Sequence, residues 1–151
     1  MNKQEVLARS DMFRYLDDEE IKVVAEMGTA EVIEAGTVLC KRGYEADKLY
    51  VIEEGLVAIL LELGKFDQRQ IQSASNFETV IWSALIPPHV CTTTVKAVEK
   101  TKVFAFNGQD LRSLIDTNPR LYAKISDGLG FVVRGRLRSA FEQLMGVTYQ
   151  D

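Results

Sequence analysis

Residues 81–95 read IWSALIPPHVCTTTV and gather the side chains best equipped to meet a ligand. They include the single tryptophan, Trp82, the single histidine, His89, one of two cysteines, Cys91, and the hydroxyls of Ser83, Thr92, Thr93 and Thr94. An aromatic face stacks on planar groups, hydroxyls donate and accept hydrogen bonds, and imidazole and thiolate bind metals. What the stretch lacks is positive charge. No lysine or arginine stands between Arg69 and Lys96, while Glu78 adds a negative one. A buried anion with no cationic partner carries a desolvation penalty of roughly several kcal/mol. Backbone amides and the hydroxyls of Ser83, Thr92 and Thr93 offset only part of it. A ligand held here is therefore expected to be weakly anionic or neutral.

Nothing else in the chain forms a reaction centre. There is no kinase-type glycine loop, no nucleophile–base pair and no metal-ligand spacing, so no enzyme is expected. Cys40 and Cys91 are too few for a secreted disulfide scaffold. Both read as small buried hydrophobes in a reducing cytoplasm. A net charge of −4 gives no general attraction to nucleic acid or to an anionic membrane. The opening MNKQEVLARSDMF lacks the apolar centre of a signal peptide, and the longest apolar run, VAILL at 57–61, is too short to span a bilayer. A soluble cytoplasmic protein is the expectation.

The elements that must position residues 81–95 fall into three zones along 151 residues, read as one domain spanning 1–151. Zone 3–28 is helical: Asp17 or Asp18 caps a helix with Ile21, Val24 and Met27 on its apolar face, and Gly28 stops it. Zone 29–107 changes to short β segments at 30–33, 37–40, 48–53, 56–62, 69–74, 79–82, 92–98 and 102–107, with Gly36, Gly43, Gly55 and Gly64 marking turns. Zone 108–146 is helical again. Asn107 or Asp110 opens a short helix, and Thr117 or Asn118 caps a long one with Pro119 at its first position. The apolar line of the long helix runs through Leu121, Ile125, Leu129, Val132 or Val133, Leu137, Phe141 and Leu144. Gly128, Gly130 and Gly135 each weaken it by roughly 1 kcal/mol relative to alanine, so packing must hold it, against the roll, a twin helix or both. The fold class expected is α+β, mainly β: about eight short strands in a small barrel, sandwich or roll, flanked by helices.

This order of elements resembles the cyclic-nucleotide-binding domain, and above all the sensor half of the bacterial catabolite-activator family. The resemblance rests on AGTVLCKRGYEADKLYVIEEGLVAI at 35–59, SALIPP at 83–88, TVKAVEKTKVFAF at 94–106 and DTNPRLYAKI at 116–125. It implies a ligand inside the roll, held by a phosphate-binding cassette: a short helical turn opened by Gly-Glu, and an arginine soon after it. A helix start attracts an anion, a glycine admits it to the backbone, and a guanidinium neutralises it. The cassette's Gly-Glu-x-Ala-Leu falls on Ile81, Trp82, Ser83, Ala84 and Leu85, and its arginine on Cys91, followed by Thr92 and Thr93. Glycine has become isoleucine, glutamate tryptophan and arginine cysteine. Upstream, where relatives often place a glycine, the turn reads Asn76-Phe77-Glu78. Arg136 is the remaining candidate cation, because the resemblance brings that part of the long helix near the base.

Two readings of Trp82 stand together: it stacks on a planar ligand, or it fills the place of a nucleotide, the second being favoured. His89 and Cys91 are of haem-ligand type, and the resemblance includes haem-based gas sensors, but a histidine after a double proline is more often a loop residue. No cofactor is fixed by the sequence; a cyclic nucleotide or another small ligand is the candidate occupant. After the long helix there is no room for a helix-turn-helix pair, so direct DNA readout is not expected. The function expected is non-enzymatic small-molecule sensing with a degenerate cassette. The alternative is a closed pocket in a dimerisation or protein-interaction module. In either case a homodimer through the long helix, and a protein partner of unknown kind, are the expected output.

Overall fold

The computed structural model describes residues 1–146. Helices α1 (Lys3–Arg9) and α2 (Asp18–Met27) lead into strands β1 (Gly28–Ile33), β2 (Val38–Cys40), β3 (Lys48–Glu54), β4 (Val57–Glu62), β5 (Gln68–Ala74) and β6 (Thr79–Val80). A 3-10 turn at Trp82–Leu85 precedes β7 (Thr94–Ala97) and β8 (Thr101–Asn107), and helices α3 (Gly108–Thr117) and α4 (Pro119–Met145) follow. The strands form two antiparallel four-stranded sheets, ordered β1-β8-β3-β6 and β2-β7-β4-β5. This is the α+β, mainly β fold, an eight-stranded jelly-roll-like β-roll with flanking helices, that the family resemblance implies.

Local chemistry explains the boundaries. Asp17 caps α2 by accepting from the Glu20 amide, and the Glu20 side chain returns the bond in a reciprocal capping box. Asn107 and Asn118 cap α3 and α4 through their side-chain oxygens, and Pro119 opens α4, where its missing N–H costs nothing. The core takes buried residues from both faces of β3 and β8, Leu49, Val51 and Phe106 on one and Ile52 and Val103 on the other. Phe106 meets Phe13 edge to face, centroids 5.4 Å apart, so the N-terminal turn closes that end of the core.

Three expectations are corrected. The segment 79–82 is not one strand: pairing ends at Val80, and Ile81 turns the chain with φ 65° before Trp82 opens the 3-10 turn. The segment 92–98 joins its sheet only at Thr94, because the Cys91 amide and carbonyl are taken by Tyr44 and Gly43 of the β2–β3 loop. Gly28 ends α2 as expected, in extended chain at φ −93°, and a Cβ there would lie 2.7 Å from the Phe106 ring. In α4 the apolar line divides: Leu121, Ile125 and Val132 are buried with Gly128, whereas Leu137, Phe141 and Leu144 are 51%, 56% and 83% exposed. Gly128 is also more than a weak point in the helix, since a Cβ there would sit 1.7 Å from the Met12 carbonyl oxygen.

Candidate functional site

The 3-10 turn and the start of β7 wall a cavity inside the roll together with β4 and β6. Its lining includes Ile59, Val80, Ile81, Trp82, Cys91 and Val95, with the hydroxyl-bearing Ser83, Thr92 and Thr93. Six of the nine expected site residues are thus brought together. Ala84 and Leu85 are buried on the other side of the turn, and Ala84 packs against Gly108. Water-sized centres fit over only about 20 Å³ of the cavity, within about 330 Å³ of non-atom space that includes its mouth. A buried water needs roughly 10–15 Å³ on this measure, so the interior as it stands admits one or two waters. Half-buried Trp82 and buried Ile81 account for the lost room.

The backbone keeps the shape that a glycine would favour. Ile81 holds φ 65° and ψ 45°, a left-handed conformation that a β-branched residue adopts at a cost of about 1–3 kcal/mol. Phe77, in the turn before β6, is left-handed too, at φ 72°. Ile81 opens the turn with no side-chain cap, and the Ala84 amide donates back to the Ile81 carbonyl at 3.3 Å. After the cis Pro87–Pro88 bond, the His89 ring Nδ1–H donates to the Ser83 carbonyl at 3.1 Å. His89 is therefore bound into the cassette's own framework rather than free in a loop.

No lysine or arginine lines the cavity. Arg136 is not brought to it: its guanidinium donates to the Ser73 carbonyl at 2.9 Å and pairs with Glu78 at 3.3 Å. Gln72 in turn donates to the Arg136 carbonyl at 2.9 Å, so the arginine fastens α4 to β5 and to the turn between β5 and β6. Arg112 of α3, which the sequence reading passed over, donates to the Ala84 carbonyl and holds the end of the 3-10 turn. The Thr94 hydroxyl donates to the Glu62 carboxylate at 3.0 Å and accepts from the Arg42 amide at 3.1 Å, so it too is occupied.

A second carboxylate anchors the entry to the cassette. Asp11 accepts from the Thr79 hydroxyl at 2.7 Å and the Thr79 amide at 3.3 Å. Burial raises its carboxyl above the ordinary value; hydrogen bonds from Thr79 and Met12 oppose the rise, and the charge of Glu78 adds to it.

The two cysteines are buried, as expected, but they are not independent. Cys40 and Cys91 are joined by a disulfide that spans 51 positions of sequence. The cause is the loop 41–47: the Gly43 amide donates to the Cys91 carbonyl, the Cys91 amide to the Tyr44 carbonyl and the Ala46 amide to the His89 carbonyl, which draws the end of β2 against residues 89–91. With its Sγ bonded to Cys40, Cys91 has no thiolate to offer an iron, and the His89–Cys91 pair is not an axial ligand set in this state. Among the described residues, no group of three or more His, Cys, Asp or Glu is placed to hold a metal ion. Among the same residues, no helix is long and apolar enough to cross a membrane.

Residues 30–118 match the family model of the cyclic nucleotide-binding domain. The chain belongs to that family, whose domains are regulatory. A Rhodopseudomonas palustris protein named as a potassium channel is 35% identical over 133 residues, which cover 87% of this chain and 30% of that protein. The chain thus spans about a third of the length of the curated relative it matches. A crystal structure of a Geobacter metallireducens GS-15 protein named as cyclic nucleotide-binding is 26% identical, with TM-score 0.78, covering 91% of this chain and 99% of that one. A cyclic nucleotide-binding domain from Methylobacillus flagellatus KT shares the fold at TM-score 0.84 and 14% identity, covering 98% of this chain and 87% of that one.

Proposed function

We propose that this chain is a non-enzymatic regulatory module that keeps the cyclic-nucleotide-binding fold without its phosphate chemistry, and that its pocket takes a neutral, flat small molecule. One observation carries this reading: the wall of the cavity includes Ile81 and Cys91, which the resemblance aligns with a glycine and an arginine, and no lysine or arginine lines it. A cyclic phosphate there meets apolar carbon, three hydroxyl side chains and a sulfur, which do not repay its desolvation. A neutral heteroaromatic ring loses far less on entry and gains the face of Trp82 once that side chain swings aside. The likeness to about a third of a larger, channel-named protein supports a module whose state is passed to an attached or docked effector.

A closed pocket is the second reading, favoured by the small interior room of about 20 Å³. On that reading the module signals only through contacts of α4 and of its surface.

Titration with cAMP, cGMP and the neutral nucleosides adenosine and guanosine, followed by Trp82 fluorescence and calorimetry, tests both. The expected result is saturable quenching by a neutral ligand and none by either cyclic nucleotide. Micromolar binding of a cyclic nucleotide overturns the first reading. Silence across the panel, with no shift in melting temperature, selects the second.

A further inference from the structure

The Cys40–Cys91 bond joins two spaces that the backbone otherwise separates. Cys91, 4% exposed, lines the interior cavity beside Trp82 and Ile81. Cys40, 8% exposed, lines a surface groove of about 300 Å³ with Val38, Lys41, Tyr44 and Glu45. A second groove on its other side, of about 200 Å³, is shared by Cys40 and Ile81. Cys40 thus borders the surface, and Cys91 borders the candidate site. Around the bond, residues 41–47 are held to residues 89–91 by three backbone hydrogen bonds, from the Gly43, Cys91 and Ala46 amides, the last two forming an antiparallel bridge at Glu45 and Val90. The disulfide is the covalent member of this seam.

We propose that Cys40 and Cys91 form a redox-active modification site, whose co-substrate is a dithiol reductant and whose reduction loosens the wall of the cavity. A thiolate of the dithiol enters by the surface groove and attacks the Cys40 sulfur. The sulfur–sulfur bond breaks, and Cys91 leaves as a thiolate and takes up a proton. The second thiolate of the reductant then attacks the mixed disulfide and releases Cys40, which is protonated in turn. Two electrons and two protons pass to the protein, and the dithiol becomes a disulfide. The Lys41 and Glu45 carbonyls, 3.9 and 4.0 Å from the Cys40 sulfur, accept from the thiol that forms. In the reduced state only hydrogen bonds hold the seam, so residues 41–47 and 89–92 open more often than the core strands. Trp82 then has a movable neighbour instead of a cross-linked one. The proposal needs no ligand, so its failure and that of the neutral-ligand reading are told apart by separate measurements.

The test uses the whole chain, air-oxidised and after dithiothreitol. Iodoacetamide labelling of the denatured protein is expected to find no thiol before reduction and both afterwards. Reduction by dithiothreitol under native conditions is expected to go to completion without unfolding. Hydrogen exchange of the Gly43, Ala46 and Cys91 amides is expected to quicken by about tenfold or more on reduction, with the amides of Val103–Phe106 unchanged. Trp82 fluorescence is expected to change in step with thiol release. A C40S/C91S variant is expected to match the reduced protein and to ignore dithiothreitol. Free thiols in the oxidised sample, a bond reduced only on global unfolding, or equal exchange in both states each overturns the proposal.

Discussion

Arg136 Nη2 lies 3.3 Å from Glu78 Oε2, which ties the middle of the long helix to the turn that feeds strand β6 and the cassette. The arginine side chain is only 14% exposed, and its second contact, to the Ser73 carbonyl, holds the guanidinium at β5 and the turn after it rather than at the cavity. The cation expected to meet a ligand is therefore a strut between two elements.

Replacing Arg136 by alanine is expected to cost about 1–2 kcal/mol, mostly from the carbonyl contact and lost packing. Glu78 is 40% exposed, so the charge pair itself is screened and its coupling is expected to stay below about 1 kcal/mol. Urea melts of R136A, E78Q and the double variant give that coupling directly. A coupling well above that bound shows a more strongly shielded pair than the geometry implies.

Ile81→Gly sets two effects against each other. It relieves the left-handed strain, about 1–3 kcal/mol, and removes a buried side chain whose loss costs about 2–5 kcal/mol. A net destabilisation of about 1–3 kcal/mol is expected, together with easier access of iodide to Trp82 in fluorescence quenching. A more stable variant means that strain outweighs burial at this position.

Asp11 sets the sign of a pH dependence. Its folded-state value is raised by burial, so its contribution to stability is full below the unfolded value of about 3.8 and is lost as pH rises through the folded one. Carbon-13 titration of the Asp11 carboxyl is expected to show a midpoint above that of an ordinary aspartate. A normal or lowered midpoint means that the two Thr79 hydrogen bonds outweigh desolvation.

Leu137, Phe141 and Leu144 lie on the exposed continuation of the buried line in α4, an arrangement that suits a second copy of the same helix. Sedimentation of the whole chain at micromolar concentration is expected to show a dimer, and L137D/F141D a monomer whose roll melts unchanged. A monomeric wild type removes the twin-helix interface.

The strands and helix caps were legible because each is local: alternation in KLYVIEE, a glycine at each of several turns, and Asp17, Asn107 and Asn118 three or fewer residues before the amides they cap. Six of the nine expected site residues share one cavity. Three features were not legible. The disulfide joins residues 51 apart, and neither cysteine carries a local sign of the other. The partners of Arg136 lie 58 and 63 positions away, beyond the reach of helix periodicity. The break of the apparent strand at 79–82 depends on a backbone angle at Ile81 that isoleucine rarely takes, so residue type points the wrong way there.

Gly128 was read as a weakness in α4, yet its single hydrogen fixes how near the two ends of the chain can lie. Met12 presents a carbonyl oxygen where any side chain would begin, and Arg14 reaches past it to rest 3.7 Å above the Phe131 ring. A variant with even alanine at this place must hold its last helix farther from the N-terminal turn, which draws Arg136 away from Ser73 and Glu78. One absent methyl group thus sets the spacing between the first helices, the last helix and the roll.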